Sequence, residues 1–166
     1  MIPSMLVYLG EYLINQGIFQ LIIYSYDKGW HLTPSSQYRW YQVFYQAGVF
    51  ISRSSVNIIL LPYWALILLP ILQFANLLIF FLESLYFYIP YVWVLFLLIL
   101  FEGLFGGSSY VNTLTHIYNF VKPDVREFSM SISSLGDAIG IVVAGFASIL
   151  LYNYVCQTSL PAHLTA

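Results

Sequence analysis

The sequence predicts an all-α protein, a polytopic transmembrane helical bundle of about five spans, and three observations lead there. Of its 166 residues, 60% are hydrophobic and 7% are charged. A soluble domain carries about 25% charged residues, so these few ionic groups cannot cover a water-facing surface. Four of the five apolar blocks reach the roughly 20 residues that cross a bilayer's hydrocarbon core. The polar residues inside those blocks recur at helical spacing and form stripes.

The first span runs from about Ile2 to Tyr26, with Pro3 in the first turn, where a helix tolerates it. It stops at "DKGWHLTPSS", in which Gly29, Pro34 and Ser35 are turn residues. The second begins near Gln37 and reads "YRWYQVFYQAGVF" towards "SRSS". The third covers about Tyr63–Tyr88, with Pro70 as a candidate kink. Pro90 opens the fourth, which continues to about Val121. At 1.5 Å per residue this span is about 46 Å long, beyond a ~30 Å hydrocarbon layer, so a break at Gly106–Gly107 is expected. In "KPDVREF", Asp124 and Glu127 have capping-box spacing and start the fifth span, which ends near Tyr154. Residues 1–154 are thus one transmembrane bundle and 155–166 a flexible tail.

Trp30, Tyr38, Trp40, Tyr63, Trp64, Tyr88, Tyr91 and Trp93 cluster at the span ends, where amphipathic rings suit the bilayer interface. A cytosolic N-terminus places Arg53, Lys122 and Arg126 in the cytosol, against Lys28 and Arg39 opposite, a slight bias in the usual direction. Five basic residues leave no nucleic-acid footprint. One cysteine, Cys156, excludes an internal disulfide and a cysteine-built metal site. No metal and no cofactor is expected; the lipid bilayer is the expected partner, with a small-molecule solute as a candidate.

Projected at 100° per residue, Glu102, Gly106, Ser109, Asn112, Thr113 and His116 share an arc of about 120° on the fourth span. On the second, Arg39, Gln42, Gln46, Arg53 and Asn57 fall within about 60°. Glu11 and Asn15 are i,i+4 neighbours on the first. A charge at the bilayer centre costs about 2.5–3.5 kcal/mol, and a leucine returns only about 0.3–0.6 kcal/mol. The charged stripes must therefore face protein or water. Glu11, Asn15, Arg39, Gln42, Gln46, Arg53, Glu102, Asn112, His116 and Asp137 form the candidate pathway. For each, a structural bond is the alternative, and for His116 a satisfied place near a span end is the simpler one. Gln73 and Asn76 read as interhelical glue and Glu83 as interfacial. Gly136, Gly140, Ala144 and Ser148 recur every fourth residue, the pattern that lets helices approach closely; Gly103 and Gly107 repeat it on the fourth span.

Five blocks resemble the battenin family of lysosomal and vacuolar membrane proteins. They are "EYLINQGIFQ" (Glu11–Gln20), "YRWYQVFYQAGVFISRSS" (Tyr38–Ser55), "LILFEGLFGGSSYVNT" (Leu98–Thr113), "REFSMS" (Arg126–Ser131) and "YVCQTS" (Tyr154–Ser159). Their order matches the C-terminal part of the family. The resemblance implies a major-facilitator-like helical fold, of which this chain is the C-terminal half. It also implies a lysosomal or vacuolar location and a role in organelle pH, amino-acid or glycerophosphodiester homeostasis. The family's N-terminal helical half is missing, so the chain is expected to be a fragment, a truncated isoform or an incomplete gene product. Family members can end in a prenylation box at the matching cysteine. Here "CQTS" is followed by "LPAHLTA", and Cys156 is not expected to carry a lipid.

The leading expectation is a solute transporter or its C-terminal part. Arg39 or Arg53 is the candidate to meet an anionic group, and Glu102 or Glu11 to carry a coupled proton. The alternative is a non-transporting scaffold or regulator. An enzyme is not expected: Ser108, Ser109 and His116 share one span, but there is no G-x-S-x-G elbow and no H-E-x-x-H.

Overall fold

The computed structural model describes residues 2–163, with the side chains of Asn57 and residues 158–163 outside that description. Its described elements are helices, with no strand among them. α1 (Ile2–Leu13) runs directly into one π turn, Ile14–Ile18. The helical part of the first expected span therefore ends at Ile18, well before Tyr26. Trp30 and His31 adopt φ of 54° and 58°, a left-handed conformation that cannot continue a right-handed helix. Buried Gln37 holds this loop instead, donating to the carbonyls of Tyr24 and Leu32 and accepting from the Tyr24 N–H.

α2 is Pro34–Ser54, with Pro34 in its first turn, where the missing N–H is one that lacks a partner anyway. Pro34 thus starts a helix, although the sequence places it in the turn. A short 3₁₀ turn, Ser55–Asn57, leads to α3 (Tyr63–Tyr86), which carries Pro70 without interruption. α4 is Val92–Phe120 and α5 is Pro123–His163. α5 passes the expected end near Tyr154, and residues 164–166 lie outside the described chain. Asp124 sits within its first turn, so it meets the helix dipole from inside the helix, not from the capping position.

Among the described residues, three helices are long and apolar enough to cross a membrane: α3, α4 and Pro123–Gln157 of α5. α1 has 12 residues, a rise of about 18 Å, and α2 is long enough but polar along one face. α4 is unbroken through Gly106–Gly107, contrary to the expected break. The glycines serve close approach. A Cβ on Gly103 would strike the Tyr45 carbonyl oxygen and come within 3.0 Å of the Val49 nitrogen, both on α2. A Cβ on Gly107 would strike Ser52 Oγ, and one on Gly48 of α2 would strike the Leu100 carbonyl oxygen. Glycines on both partners let the α2 and α4 backbones touch.

α5 packs on α1 through part of its small-residue stripe. A Cβ on Gly140 would lie 2.6 Å from the Met5 carbonyl oxygen, Ala144 is fully buried, and Ser148 faces Gly17. A Cβ on Gly136 meets none of the described residues within 4 Å, so Gly136 takes no part in this contact among them. The main apolar core joins Ile14, Ile18 and Phe19 to Tyr41, Phe80 and Phe96. Phe44 stacks on Phe96 at 4.5 Å between centroids. Trp30, Trp40, Tyr63, Trp64, Tyr91 and Trp93 are exposed, as interfacial anchors should be. α1 and α2 both pack on α4 but scarcely on each other, which leaves a cleft between them.

Candidate functional site

That cleft holds the polar cluster. Its floor is α4, where Glu102 is fully buried at 0% exposure. Glu11 of α1, 2% exposed, lays its carboxylate against the α4 backbone at Gly106, whose Cβ would strike it. Gly106 is therefore a seat for a carboxylate. Asn15, in the π turn, joins the two acids: its Nδ2 donates to Glu102 Oε1 at 2.9 Å and to the Glu11 carbonyl at 3.0 Å. A π turn shifts backbone bonding from i−4 to i−5, and here the side-chain amide of Asn15 supplies a donor to the carbonyl four residues back. Gln42 of α2 donates to Asn15 Oδ1 at 3.3 Å. The Tyr45 hydroxyl, also on α2, donates to Glu11 Oε1.

The hydrogen-bond partners of both acids are neutral. Oε2 of Glu11 and Oε2 of Glu102 are buried with no hydrogen-bond partner among the described residues. Such groups cost stability in a low-dielectric interior, so packing alone gives no reason to keep them.

Two cavities open on this cluster. One of about 260 Å³ is lined by Tyr12, Asn15, Gln16, Gln42, Tyr45 and Gln46, among others. A second, of about 400 Å³, shares Tyr12, Tyr45 and Gln46 and adds Arg53, Tyr110 and Asp137. Arg53 donates to the Tyr8 hydroxyl at 3.4 Å and lies 4.7 Å over the Tyr110 ring. Asp137 accepts from Ser4 Oγ at 2.7 Å. A serine of another helix, α1, thus bonds to it.

The structure brings together Glu11, Asn15, Gln42, Gln46, Arg53, Glu102 and Asp137 around this cleft. It does not bring Arg39, Asn112 or His116. Arg39 is exposed near the start of α2 and folds onto its own helix, donating to the Ser35 carbonyl and Ser36 Oγ. A helical arc fixes direction but not height, and Arg39 lies below the cleft. Asn112 and His116 clamp the α2–α3 link: Asn112 Oδ1 accepts from the Leu61 N–H at 2.8 Å, and His116 Nε2 donates to the Leu61 carbonyl at 2.7 Å. They satisfy a backbone unit that no helix satisfies. The side chain of Asn57, expected on the α2 stripe, lies outside the described residues.

Sequence reasoning passed over Tyr45, which it grouped with no stripe. Its position three residues after Gln42 places it about 60° from that glutamine, a signal that was available. Glu83, read as interfacial, is fully buried: Tyr24 Oη donates to Oε1 at 2.8 Å and the Ile89 N–H to Oε2 at 2.9 Å. It closes the end of α3, where Phe87 is left-handed at φ 47°. Gln73 is buried with both amide atoms lacking a hydrogen-bond partner among the described residues, as does Asn76 Nδ2, so neither forms the expected interhelical bond through those atoms.

A sequence model described as "CLN3 protein" matches residues 1–158. The dog (Canis lupus familiaris) protein battenin is 40% identical over 159 residues, 95% of this chain and 35% of its own length. Protein BTN1 of Eremothecium gossypii is 42% identical over 162 residues, 95% of this chain and 39% of its own. Protein BTN1 of Candida albicans is 44% identical over 150 residues, with 87% and 35% covered. The chain spans 33–40% of the length of such relatives, in their C-terminal part. No solved structure matches it.

Proposed function

The chain belongs to the CLN3 protein family, and from that premise we propose that it is part of a solute transporter of battenin type. Its pathway is the cleft between α1 and α2, and its place is the lysosomal or vacuolar membrane. One observation carries the reading. Two buried glutamates, each with an oxygen that lacks a hydrogen-bond partner among the described residues, stand behind a polar cleft in a bundle of largely apolar helices. Ionisable groups inside a membrane are costly, and they mark solute and ion routes.

The roles follow from the chemistry at each position. Glu11 and Glu102 carry the coupling cation. Asn15 ties them so that a change at one is felt at the other. Arg53 holds its guanidinium at the second cavity beside tyrosine rings, ready for an anionic group of the solute. A major-facilitator arrangement, in which two helical bundles rock about a central site, would make this cleft one wall of the route. Amino acids and glycerophosphodiesters are the solute classes to test.

The test is flux. Liposomes reconstituted with the chain are assayed for uptake of labelled basic amino acids and glycerophosphodiesters under an imposed pH gradient. Uptake that responds to the gradient in the wild type, and no longer does in Glu102→Gln, is the expected result. No uptake by the chain refutes transport by these helices alone, and an equal response in the variant refutes the role of Glu102.

A further inference from the structure

Tyr45 touches both sides of the boundary between the cleft and its buried acids. It lines both cavities, yet its hydroxyl donates to Glu11, which lines neither. Tyr45 is 9% exposed and Glu11 behind it 2%. Glu102 is shielded separately, by Asn15 at 8% exposure. The backbone under Tyr45 is fixed, because its carbonyl lies at the glycine crossing with Gly103. On the α2 side, the movable cover over Glu11 is therefore the Tyr45 side chain.

We propose that Tyr45 is a gate: its phenol seals Glu11 from the aqueous cleft, and a small monovalent cation, a proton or a sodium ion, reaches the Glu11 carboxylate when the ring swings aside. This rests on the transport reading for its purpose but not for its test. The hydroxyl bond to Glu11 latches the closed ring, and Gln42 and Gln46 on either side give the opened path a polar lining. The charged groups around Glu11 are Glu102 of α4, Asp137 of α5 and Arg53 of α2. An arriving cation meets two acids besides Glu11 and one base.

The gate is read by chemical access. The chain in liposomes is treated with a water-soluble carbodiimide and a small amine, and labelling of each carboxylate is followed by peptide mass spectrometry. In the wild type, Glu11 should label slowly. Tyr45→Ala should raise its rate at least tenfold and Tyr45→Phe, which keeps the ring but loses the latch, severalfold. Glu102, behind Asn15, should gain less than Glu11. Glu83 reports folding, since Tyr24 and Ile89, not Tyr45, bond to it; where Tyr45→Ala exposes Glu83, Tyr45→Phe decides. Glu11 labelling within twofold of wild type in a folded variant overturns the gate.

Sodium chloride slowing the Tyr45→Ala reaction relative to choline chloride identifies sodium as the cation. Slowing by raised pH that exceeds the slowing at exposed Glu127 identifies the proton, and indifference of Glu11 relative to Glu127 in both comparisons overturns the cation assignment. A chain that carries no solute but shows the labelling contrast keeps its gate and loses the transport reading. One that transports with labelling unchanged does the reverse.

Discussion

Gly103→Ala and Gly136→Ala make the same chemical change on two helices that share a small-residue pattern, and they should act in opposite directions. At Gly103 the new methyl meets backbone atoms: the Tyr45 carbonyl oxygen, the Val49 nitrogen at 3.0 Å and the Tyr45 carbonyl carbon at 3.1 Å. Backbone cannot rotate away, so α2 and α4 must part. Overpacking costs about 1–3 kcal/mol, and the upper end applies where nothing can yield. Alanine's better helix propensity returns about 1 kcal/mol, which leaves a net loss of about 2 kcal/mol. At Gly136 no described residue lies within 4 Å, so only the gain of up to about 1 kcal/mol remains. The two variants should differ by about 3 kcal/mol, roughly a hundredfold in the unfolding constant. Equilibrium unfolding in mixed micelles, titrated with SDS and followed by far-UV circular dichroism, measures the difference. Gly103→Ala unfolding at the same SDS fraction as Gly136→Ala, or a higher one, would refute the glycine-crossing argument.

Asn15→Leu removes the donor to Glu102 and to the Glu11 carbonyl and leaves the Glu102 carboxylate with no bonded partner, a loss of about 2–3 kcal/mol in the same titration. Asn112→Ala strips the acceptor from the Leu61 N–H; hydrogen exchange should quicken locally at residues 58–61, with about 1–3 kcal/mol of protection lost and α4 otherwise unchanged. Glu83→Leu removes both acceptor oxygens, so the Tyr24 hydroxyl and the Ile89 N–H both lose their bond. Limited proteolysis should then cut residues 86–91 several times faster, while the α2–α3 link stays as resistant as in the wild type.

Much of the bundle was legible because its signals are local and strong. Apolar runs such as Tyr63–Tyr86 declare a helix by length and composition alone. Glu102 among leucines could only face inward, because lipid would penalise it, and it is fully buried. The same reasoning failed where the decisive contact lay on another element. Gly106–Gly107 looked like a break from inside α4, but its purpose is set by Glu11 of α1 and Ser52 of α2. Glu83 looked interfacial because it stands near a span end, yet the loop after α1 sends Tyr24 back to cover it.

The sequence by itself determined that this chain is a helical membrane protein, which family it resembles, and which acids turn away from lipid. The first and the last follow from transfer free energies and helical periodicity, which need only neighbours along the chain; the resemblance rests on five matching blocks of sequence. Tertiary structure decided which members of each stripe meet. Periodicity gives the direction of a side chain but not the height at which another helix crosses it. The glycine crossing of α2 on α4 sets that height, bringing Tyr45 and Gln42 level with Glu11 and Asn15 and leaving Arg39 and His116 at opposite ends.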